Sequence, residues 1–331
     1  MKFATIGAAI LGLLLGTAIV GYYGFGEVWA ALRAIRWTGF AVIVVYHLTL
    51  MGFLGLAWYV VLPMPRPVSL AVMVWGRLIR DSGSEVLPLS QLGGFAMGAR
   101  AATLAGLPGP LSAASTVVDV TLETLAQLIY AAFGLGLLLW LRPDAAVAKP
   151  LALGLGVGVV AICAFIFVQR RGMDLIERMA RSLAPRWLPK DAGEHARALH
   201  GYMHAMYERA AGQRMGFLLH LACWLANGAE TWIALKLMGA PLSLAAVLAI
   251  ESMLYAIRSF AFFVPNAVGV QEGAYVMLGG LFGLPPETAL ALSLLKRGRD
   301  LTIGVPALLA WQAAEGRRAW RRSADAPTET R

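Results

Sequence analysis

Two carboxylates lie one helical turn apart inside an apolar stretch of this sequence. They belong to a polar stripe of Ser112, Ser115, Asp119, Glu123 and Gln127. Spacings of three and four residues return to the same face of a helix, and a carboxylate at the bilayer centre costs about 2.5–3.5 kcal/mol. The stripe therefore predicts a cavity wall that binds a cation, a proton or a polar headgroup. An ion pair with Arg77, Arg80 or Arg100 is a compatible alternative.

A second cluster, mostly basic, occupies the matching position further along the chain. It consists of Ser293, Lys296, Arg297, Arg299 and Asp300. If it faces the acidic stripe, the two form a bipolar site that suits a zwitterionic or phosphate-bearing headgroup; the alternative is mutual neutralisation. We expect the three basic residues to bind the headgroup and Asp119, Glu123 and Asp300 to relay a proton or cation.

Proline and glycine interrupt two apolar stretches beside further charges. These are Arg80, Glu85 and Pro88 in the first stretch, and Arg258, Pro265 and Glu272 in the second. Proline lacks an amide hydrogen, so Pro88 and Pro265 are predicted to break a helix and let a half-helix begin. Free N–H groups at such a start suit phosphate or carboxylate, and arginine adds a forked donor. The charged residues are therefore predicted to bind a headgroup, although Glu272 could instead pair with Arg258.

The two interrupted stretches belong to a repeated pattern. Pro265 follows Pro88 by the same number of positions as Gly283 follows Gly106. The first copy covers about residues 69–141 and the second about 242–311. Duplicated, broken membrane segments are typical of transporters with inverted repeats, whose binding site lies where the copies meet.

Composition places these copies in a membrane protein. The chain is 59% hydrophobic and 14% charged, whereas soluble domains are roughly a quarter charged. Apolar windows of spanning length are Phe3–Tyr23, Thr38–Leu62, Ser112–Leu141, Leu151–Val168, Met215–Met238 and Thr288–Trp311. The interrupted stretches Ser69–Leu104 and Leu242–Phe282 are each predicted to form a helical hairpin, either re-entrant or of two short spans. The expected fold is an all-α, polytopic helical membrane protein.

Charge predicts the orientation of this fold. The chain has a net charge of +9, with basic residues concentrated in 169–214 and in the tail 316–331. Basic segments that flank spans mark the cytoplasmic side, so both termini and an amphipathic loop at 169–214 are expected there. The two hairpins then open from opposite faces of the inner (plasma) membrane. Attraction to anionic lipid headgroups also accounts for the basic patches, so no nucleic-acid partner is expected.

Motifs for soluble enzyme chemistry are missing from the sequence. It has no phosphate-binding P-loop, no Gly-x-Ser-x-Gly and no His-Glu-x-x-His, so nucleotide hydrolysis is not expected. We expect no catalytic residue, no metal site and no cofactor within a single membrane domain of residues 1–315. His47, Asn227 and Glu230 also lie in predicted spans, where they would line a cavity or form hydrogen bonds between helices.

Several of these motifs resemble a known family. Arg258, residues 264–272, Gly283–Leu284 and the basic run 296–299 resemble the transmembrane part of lysylphosphatidylglycerol synthases, which is also found alone as a flippase-like domain. In the first copy, residues 84–95 with Asp119, Glu123 and Gln127 look like the branch associated with hopanoid biosynthesis. The resemblance covers nearly the whole chain.

The resemblance implies a protein that moves lipids between leaflets. In that family, aminoacyl transfer belongs to a separate soluble C-terminal domain, and this chain ends shortly after its last predicted span, so we expect no aminoacyl-transferase activity. The family pattern before its glutamate is Gly-Gly-x-Gly or similar, whereas this chain has Asn266–Gly269. Headgroup preference therefore does not carry over.

Three functions fit the sequence. The first is a flippase-like lipid translocator. The second is an integral-membrane enzyme that modifies a polyprenyl or hopanoid lipid, with Asp119 and Glu123 as acid and base or as ligands of a divalent ion. The third is a scaffold that recruits lipid-synthesis enzymes through the basic loop. The expected partners are membrane lipids and, as candidates, lipid-biosynthesis enzymes; the sequence does not determine the oligomeric state.

Overall fold

The protein is helical throughout the part of the chain that the structure describes. This computed structural model describes residues 25–87, 91–169, 192–261 and 264–324, and these ranges contain eleven α-helices, one short 3₁₀ turn and no strand. The predicted all-α class is confirmed. The predicted first span, Pro88, much of the amphipathic loop and the end of the tail lie outside the described residues.

The helices are numbered in chain order. They are α1 (Phe25–Ala34), α2 (Arg36–Val61), α3 (Leu70–Val86), α4 (Gln91–Leu104), α5 (Gly109–Leu141), α6 (Ala148–Phe167), α7 (Ala192–Glu208), α8 (Ala210–Leu237), α9 (Leu244–Phe260), α10 (Val270–Gly280) and α11 (Pro286–Ala324); the 3₁₀ turn is Pro265–Ala267. Each predicted copy therefore contains two shorter helices followed by one long helix.

Among the described helices, three are long and apolar enough to cross a membrane: α2, α5 and α6. Only 6% of the apolar window of α6 is buried inside the protein, so this helix lies at the periphery. The predicted spans in α8 and α11 do form long helices. Their polar residues, such as His220 and Glu230 in α8 and the basic cluster in α11, keep them outside that group.

Both predicted hairpins are interrupted near the expected positions. In the first copy, α3 ends at Val86 and α4 begins at Gln91. In the second copy, Pro265 opens the 3₁₀ turn between α9 and α10. Asn266, Ala267 and Gly269 all have positive φ angles, of 49°, 46° and 81°, so the chain cannot continue as a regular helix here.

Glycines bring α3 and α4 together as an antiparallel pair. A Cβ atom added at Gly98 would lie 2.5 Å from the Cβ of Arg80, and one added at Gly94 would lie 2.6 Å from the Arg80 carbonyl oxygen. Gly83 packs beside Gly94, and Gly76 packs beside Gly98. This close approach places the Cα and Cβ of Arg80 against α4, while its guanidinium reaches α5.

Among the described residues, three apolar clusters lie inside the bundle, and two of them are large. One lies mainly among α5 and α8–α11 and includes Ile250, Tyr275 and Leu290. The other joins α2, α3, α5 and α7 and includes Trp58 and Met73. Lipid tails are as apolar as these side chains, so close packing and hydrogen bonds between helices, and not transfer out of water, hold membrane helices together.

Candidate functional site

A polar cavity of about 400 Å³ lies within the bundle. Its lining comes from α2, α3, α4, α5, α8, α9, the 3₁₀ turn and α11, so both predicted copies contribute. The ionisable residues that line it include His47, Arg77, Arg80, Asp81, Glu85, Glu123, His220, Arg258, Arg299 and Asp300. Each of the four arginines contacts at least one carboxylate.

Within the first copy, two arginines of α3 reach the carboxylates of α5. Arg77 donates to Glu123 at 2.7 and 3.1 Å and to Asp81 at 2.7 Å. Arg80 donates to Asp119 at 2.7 Å and also to Glu123. Three of the partners lie at i, i+3 and i+4 on α3, so one helical face presents them together. The ion-pair alternative for Asp119 and Glu123 is thus present with Arg77 and Arg80.

Arg100 takes no part in this network. It instead pairs with Glu315 at 2.7 Å on the surface, where the two side chains are 47% and 33% exposed.

Asp119 also contacts His220, a residue that the sequence patterns did not indicate. Its second oxygen lies 2.9 Å from Nε2 of His220, which is on α8, and both side chains are completely buried. A carboxylate only accepts, so Nε2 donates. The other ring nitrogen, Nδ1, is buried without a hydrogen-bond partner among the described residues. The sequence signal that could have found His220 is its position inside a predicted span, but no charged residue lies next to it in the sequence.

A second network joins α2, α8 and α11. Arg299 donates to Glu230 and, at 2.7 Å and 3.0 Å, to Asp300. The second oxygen of Glu230 accepts a hydrogen bond from Nδ1 of His47 at 2.9 Å. Glu230 is 1% exposed and lies behind the cavity wall, whereas His47, Arg299 and Asp300 line it.

Lys296 lies beside this network and pairs with a different carboxylate. Its ammonium lies 2.6 Å from Glu251 of α9, and that carboxylate also accepts hydrogen bonds from Tyr275 at 2.5 Å and from Asn227 at 3.4 Å. Glu251 is completely buried. This cluster pins α9, α10 and α11 together and, apart from Asn227, stays out of the cavity lining.

Arg258 and Glu85 connect the two predicted copies. One nitrogen of Arg258 donates to both oxygens of Glu85, at 2.9 Å and 2.8 Å. The side chain of Asn266, in the 3₁₀ turn, donates to the backbone carbonyl of Glu85. The two helix breaks therefore meet at one edge of the cavity, and we call the Arg258–Glu85 pair the bridge.

Glu272 lies at the start of α10 but does not line the cavity. It pairs with Arg297 at 2.7 Å, and not with Arg258. It also accepts hydrogen bonds from the backbone N–H of Gly269 at 2.7 Å and from Ser293 at 2.9 Å. These contacts cap the N-terminus of α10 and attach it to α11.

The predicted site residues thus fall into two groups. Those that line the cavity are Arg80, Glu85, Glu123, Arg258, Arg299 and Asp300, and those that lie outside its lining are Asp119, Glu272, Lys296 and Arg297. The acidic stripe and the basic cluster both reach the cavity, through Glu123 and through Arg299 and Asp300, but they do not pair with each other in the described contacts. The stripe pairs with α3, whereas the cluster pairs with α8, α9 and α10.

Comparison with known proteins agrees with this architecture. Residues 6–307 match the family model described as the lysylphosphatidylglycerol synthase TM region. Searches of curated proteins and of solved structures gave no match. Since the family match covers most of the chain, and the described helices include apolar spans, this multi-pass membrane protein with a lipid-related role belongs to the lysylphosphatidylglycerol synthase transmembrane-region family.

Proposed function

We propose that this protein is a flippase-like lipid translocator of the inner membrane, with both termini cytoplasmic. The single observation that carries the proposal is the polar cavity of about 400 Å³ inside a bundle with apolar spans. Sites for small molecules commonly have volumes of about 300–1,000 Å³, and a lipid headgroup falls in that class. Hopanoids with a polar headgroup, which the first-copy motifs suggest, are candidate cargo beside other polar lipids.

The pairing of charges indicates which headgroups suit the cavity. Each of its four arginines already lies 2.7 or 2.8 Å from a carboxylate oxygen. An anionic headgroup would have to displace a carboxylate from an arginine and leave it unpaired, which is costly at low dielectric. A zwitterionic or uncharged polar headgroup can exchange contacts with both partners of a pair, so we favour that class.

A second, apolar cavity supports a lipid over a water-soluble cargo. It has a volume of about 310 Å³ and lies between α5, α6 and α9, with lining residues such as Leu128, Ile162 and Phe165. Thr124, Gln127 and Ser259 line both cavities. A headgroup in the polar cavity would therefore have an apolar space beside it for part of its hydrocarbon chain.

Helix lengths support hairpins that enter the membrane without crossing it. The helices α3, α4, α9 and α10 contain 17, 14, 17 and 11 residues. At 1.5 Å per residue they are about 17–26 Å long, less than the roughly 30 Å of the hydrocarbon core. We infer two re-entrant hairpins in inverted repeats, with the bridge between their breaks. Movement of one repeat against the other would then expose the cavity to each leaflet in turn.

Reconstitution tests the proposal directly. The full-length protein is placed in liposomes that contain phosphatidylethanolamine with a fluorescent acyl chain, and a membrane-impermeant reductant reports the label that reaches the outer leaflet. We expect faster exchange between leaflets than in protein-free liposomes. Arg258→Ala should slow the exchange, whereas Arg100→Ala, at an exposed ion pair outside the cavity, should not. Protein-free rates for the wild type with this probe and with a polar hopanoid would refute translocation.

Lipid analysis of cells with and without the protein separates transport from synthesis. Unchanged total lipids with an altered distribution between leaflets support translocation. Loss of one lipid together with accumulation of its precursor would instead favour a lipid-modifying enzyme or an assembly factor for one.

A further inference from the structure

Two triads, each made of a histidine, a carboxylate and an arginine, lie at the cavity. The first triad is His220, Asp119 and Arg80, and the second is His47, Glu230 and Arg299. In each, one carboxylate oxygen lies 2.9 Å from an imidazole nitrogen, and the other oxygen pairs with the arginine. The six residues come from α2, α3, α5, α8 and α11, so the likeness is one of tertiary arrangement and not of local sequence.

The two triads have the same orientation relative to the cavity. The histidines and arginines line it, whereas the carboxylates Asp119 and Glu230 lie behind them and are 0% and 1% exposed. Arginine stays charged at all relevant pH values. Imidazole is the side chain that changes charge between about pH 5 and 8. The histidine is therefore the member of each triad that can change its charge while it faces the cavity.

Each histidine lies in a cluster that contains one more carboxylate than cationic side chains. Among the described residues of the first network, two cations (Arg77 and Arg80) meet three carboxylates (Asp81, Asp119 and Glu123). Around the second triad, two cations (Lys296 and Arg299) likewise meet three carboxylates (Glu230, Glu251 and Asp300). Each cluster thus has one negative charge in excess while its histidine is neutral. At low dielectric an uncompensated charge is costly, and one proton on the imidazole removes it.

The first triad also shows where this proton would bind. When Nε2 of His220 donates to Asp119, Nδ1 is left with a lone pair. That atom is buried and has no hydrogen-bond partner within the described part of the chain. Charged groups that act on His220 are Asp119 and Glu123 of α5 and, through them, Arg77 and Arg80 of α3.

We propose that His220 and His47 are proton-binding sites that couple lipid translocation to proton movement across the membrane. This inference rests on the proposed translocator function. For His47, the facing groups are Glu230 of α8 and Arg299 and Asp300 of α11. In each cycle a proton from water on one side forms an N–H bond with the imidazole, and the same proton is released to water on the other side. No other bond is made or broken, and no further reactant is required.

The test uses the full-length protein in liposomes with a trapped pH-sensitive dye and the same labelled phosphatidylethanolamine. We expect a pH gradient of one sign to accelerate lipid movement into one leaflet, a gradient of the opposite sign to slow it, and the dye to report lipid-dependent proton flux. Lipid movement at equal rates with either gradient and with none would overturn proton coupling while translocation stands. Failure of the wild type to move lipid at all would overturn both.

Variants then assign the sites. His220→Gln and His47→Gln should lose the acceleration by the gradient, measured for each variant as the ratio of its lipid-exchange rates with and without the gradient. His204→Gln is the matched control, since His204 is an exposed histidine whose contact with Glu208, at 3.4 Å, lies outside the cavity. Elution from a size-exclusion column identifies any variant that fails to fold, and the wild-type measurement decides the proposal in that case. Full acceleration in a folded variant would remove that histidine from the mechanism.

Discussion

Arg258 and Glu85 lie 173 positions apart in the sequence, yet their side chains meet at 2.8 and 2.9 Å. The bridge joins the end of α3 to the region just before the second helix break, and Asn266 adds a hydrogen bond to the same place. The two side chains are 12% and 24% exposed, so they are more accessible than the triad carboxylates. A contact of this kind can open without the cost of exposing a fully buried charge.

Removing one member of the bridge should impair function more than stability. Arg258→Ala leaves Glu85 unpaired at a partly exposed position, and the expected loss of stability lies between the roughly 1 kcal/mol of a surface pair and the about 3–5 kcal/mol of a buried one. Thermal melting in detergent measures the loss, and the liposome assay measures lipid exchange. Exchanging the two charges, as Arg258→Glu with Glu85→Arg, should restore part of the exchange; no recovery in a folded double variant would argue against a role for the pair itself.

Asp119→Asn should destabilise the protein strongly. The substitution removes the charge that pairs with Arg80 and His220 in a completely buried position. We expect a loss of about 3–5 kcal/mol, seen as a lower melting temperature. Glu315→Gln, at the exposed pair with Arg100, is the control and should cost at most about 1 kcal/mol. Equal effects of the two substitutions on the melting temperature would contradict the conclusion that the buried contacts of Asp119 stabilise the protein more than the exposed Arg100–Glu315 pair.

Glu272→Gln distinguishes two roles for this residue. Its contacts with Arg297, Ser293 and the Gly269 amide predict a structural effect, in which the melting temperature falls because Arg297 loses its charged partner. Lipid exchange should then decline in step with folded protein. Normal melting with abolished exchange would show instead that Glu272 acts on the headgroup, as the sequence analysis expected.

Gly98→Ala should push α3 and α4 apart and lower the stability of the protein. The added Cβ would meet the Cβ of Arg80 at 2.5 Å and the carbonyl oxygen of Gly76 at 2.8 Å, and such overpacking typically costs about 1–3 kcal/mol. Gly136→Ala is the matched control, because a Cβ there has no neighbouring atom within 4 Å and alanine favours a helix. Melting temperatures of the two variants should move in opposite directions; a neutral Gly98→Ala would mean that α3 and α4 adjust without cost.

Local patterns predicted the helices and some of the contacts between their side chains. The period of three and four residues placed Asp119 and Glu123 on one face of α5, and both do meet Arg77 and Arg80. Pro265 was expected to end a helix, and it opens the turn between α9 and α10. These results depend on interactions within one helix or across a short loop.

Partners from distant parts of the chain could not be predicted in the same way. Glu272 pairs with Arg297 and not with Arg258, because the turn before α10 directs the first residues of α10 towards α11. His220 meets Asp119 only through the packing of α8 against α5. Residues that share a helical face can also differ in depth, which is why Asp119 lies behind the cavity wall while Glu123 lines it.

The charge pairs described for the two copies have opposite polarity. In the first copy, the hairpin helix α3 supplies arginines and the long helix α5 supplies carboxylates; in the second, α9 supplies Glu251 and α11 supplies Lys296. Each hairpin also packs against the long helix of the other copy: Gly304 of α11 lies beside Ser82 and Val86 of α3, and Gly134 of α5 lies beside Ser252 of α9. The helices α3 and α9 are thus each held by a charge pair to the long helix of their own copy, while a small residue lets them approach the long helix of the other.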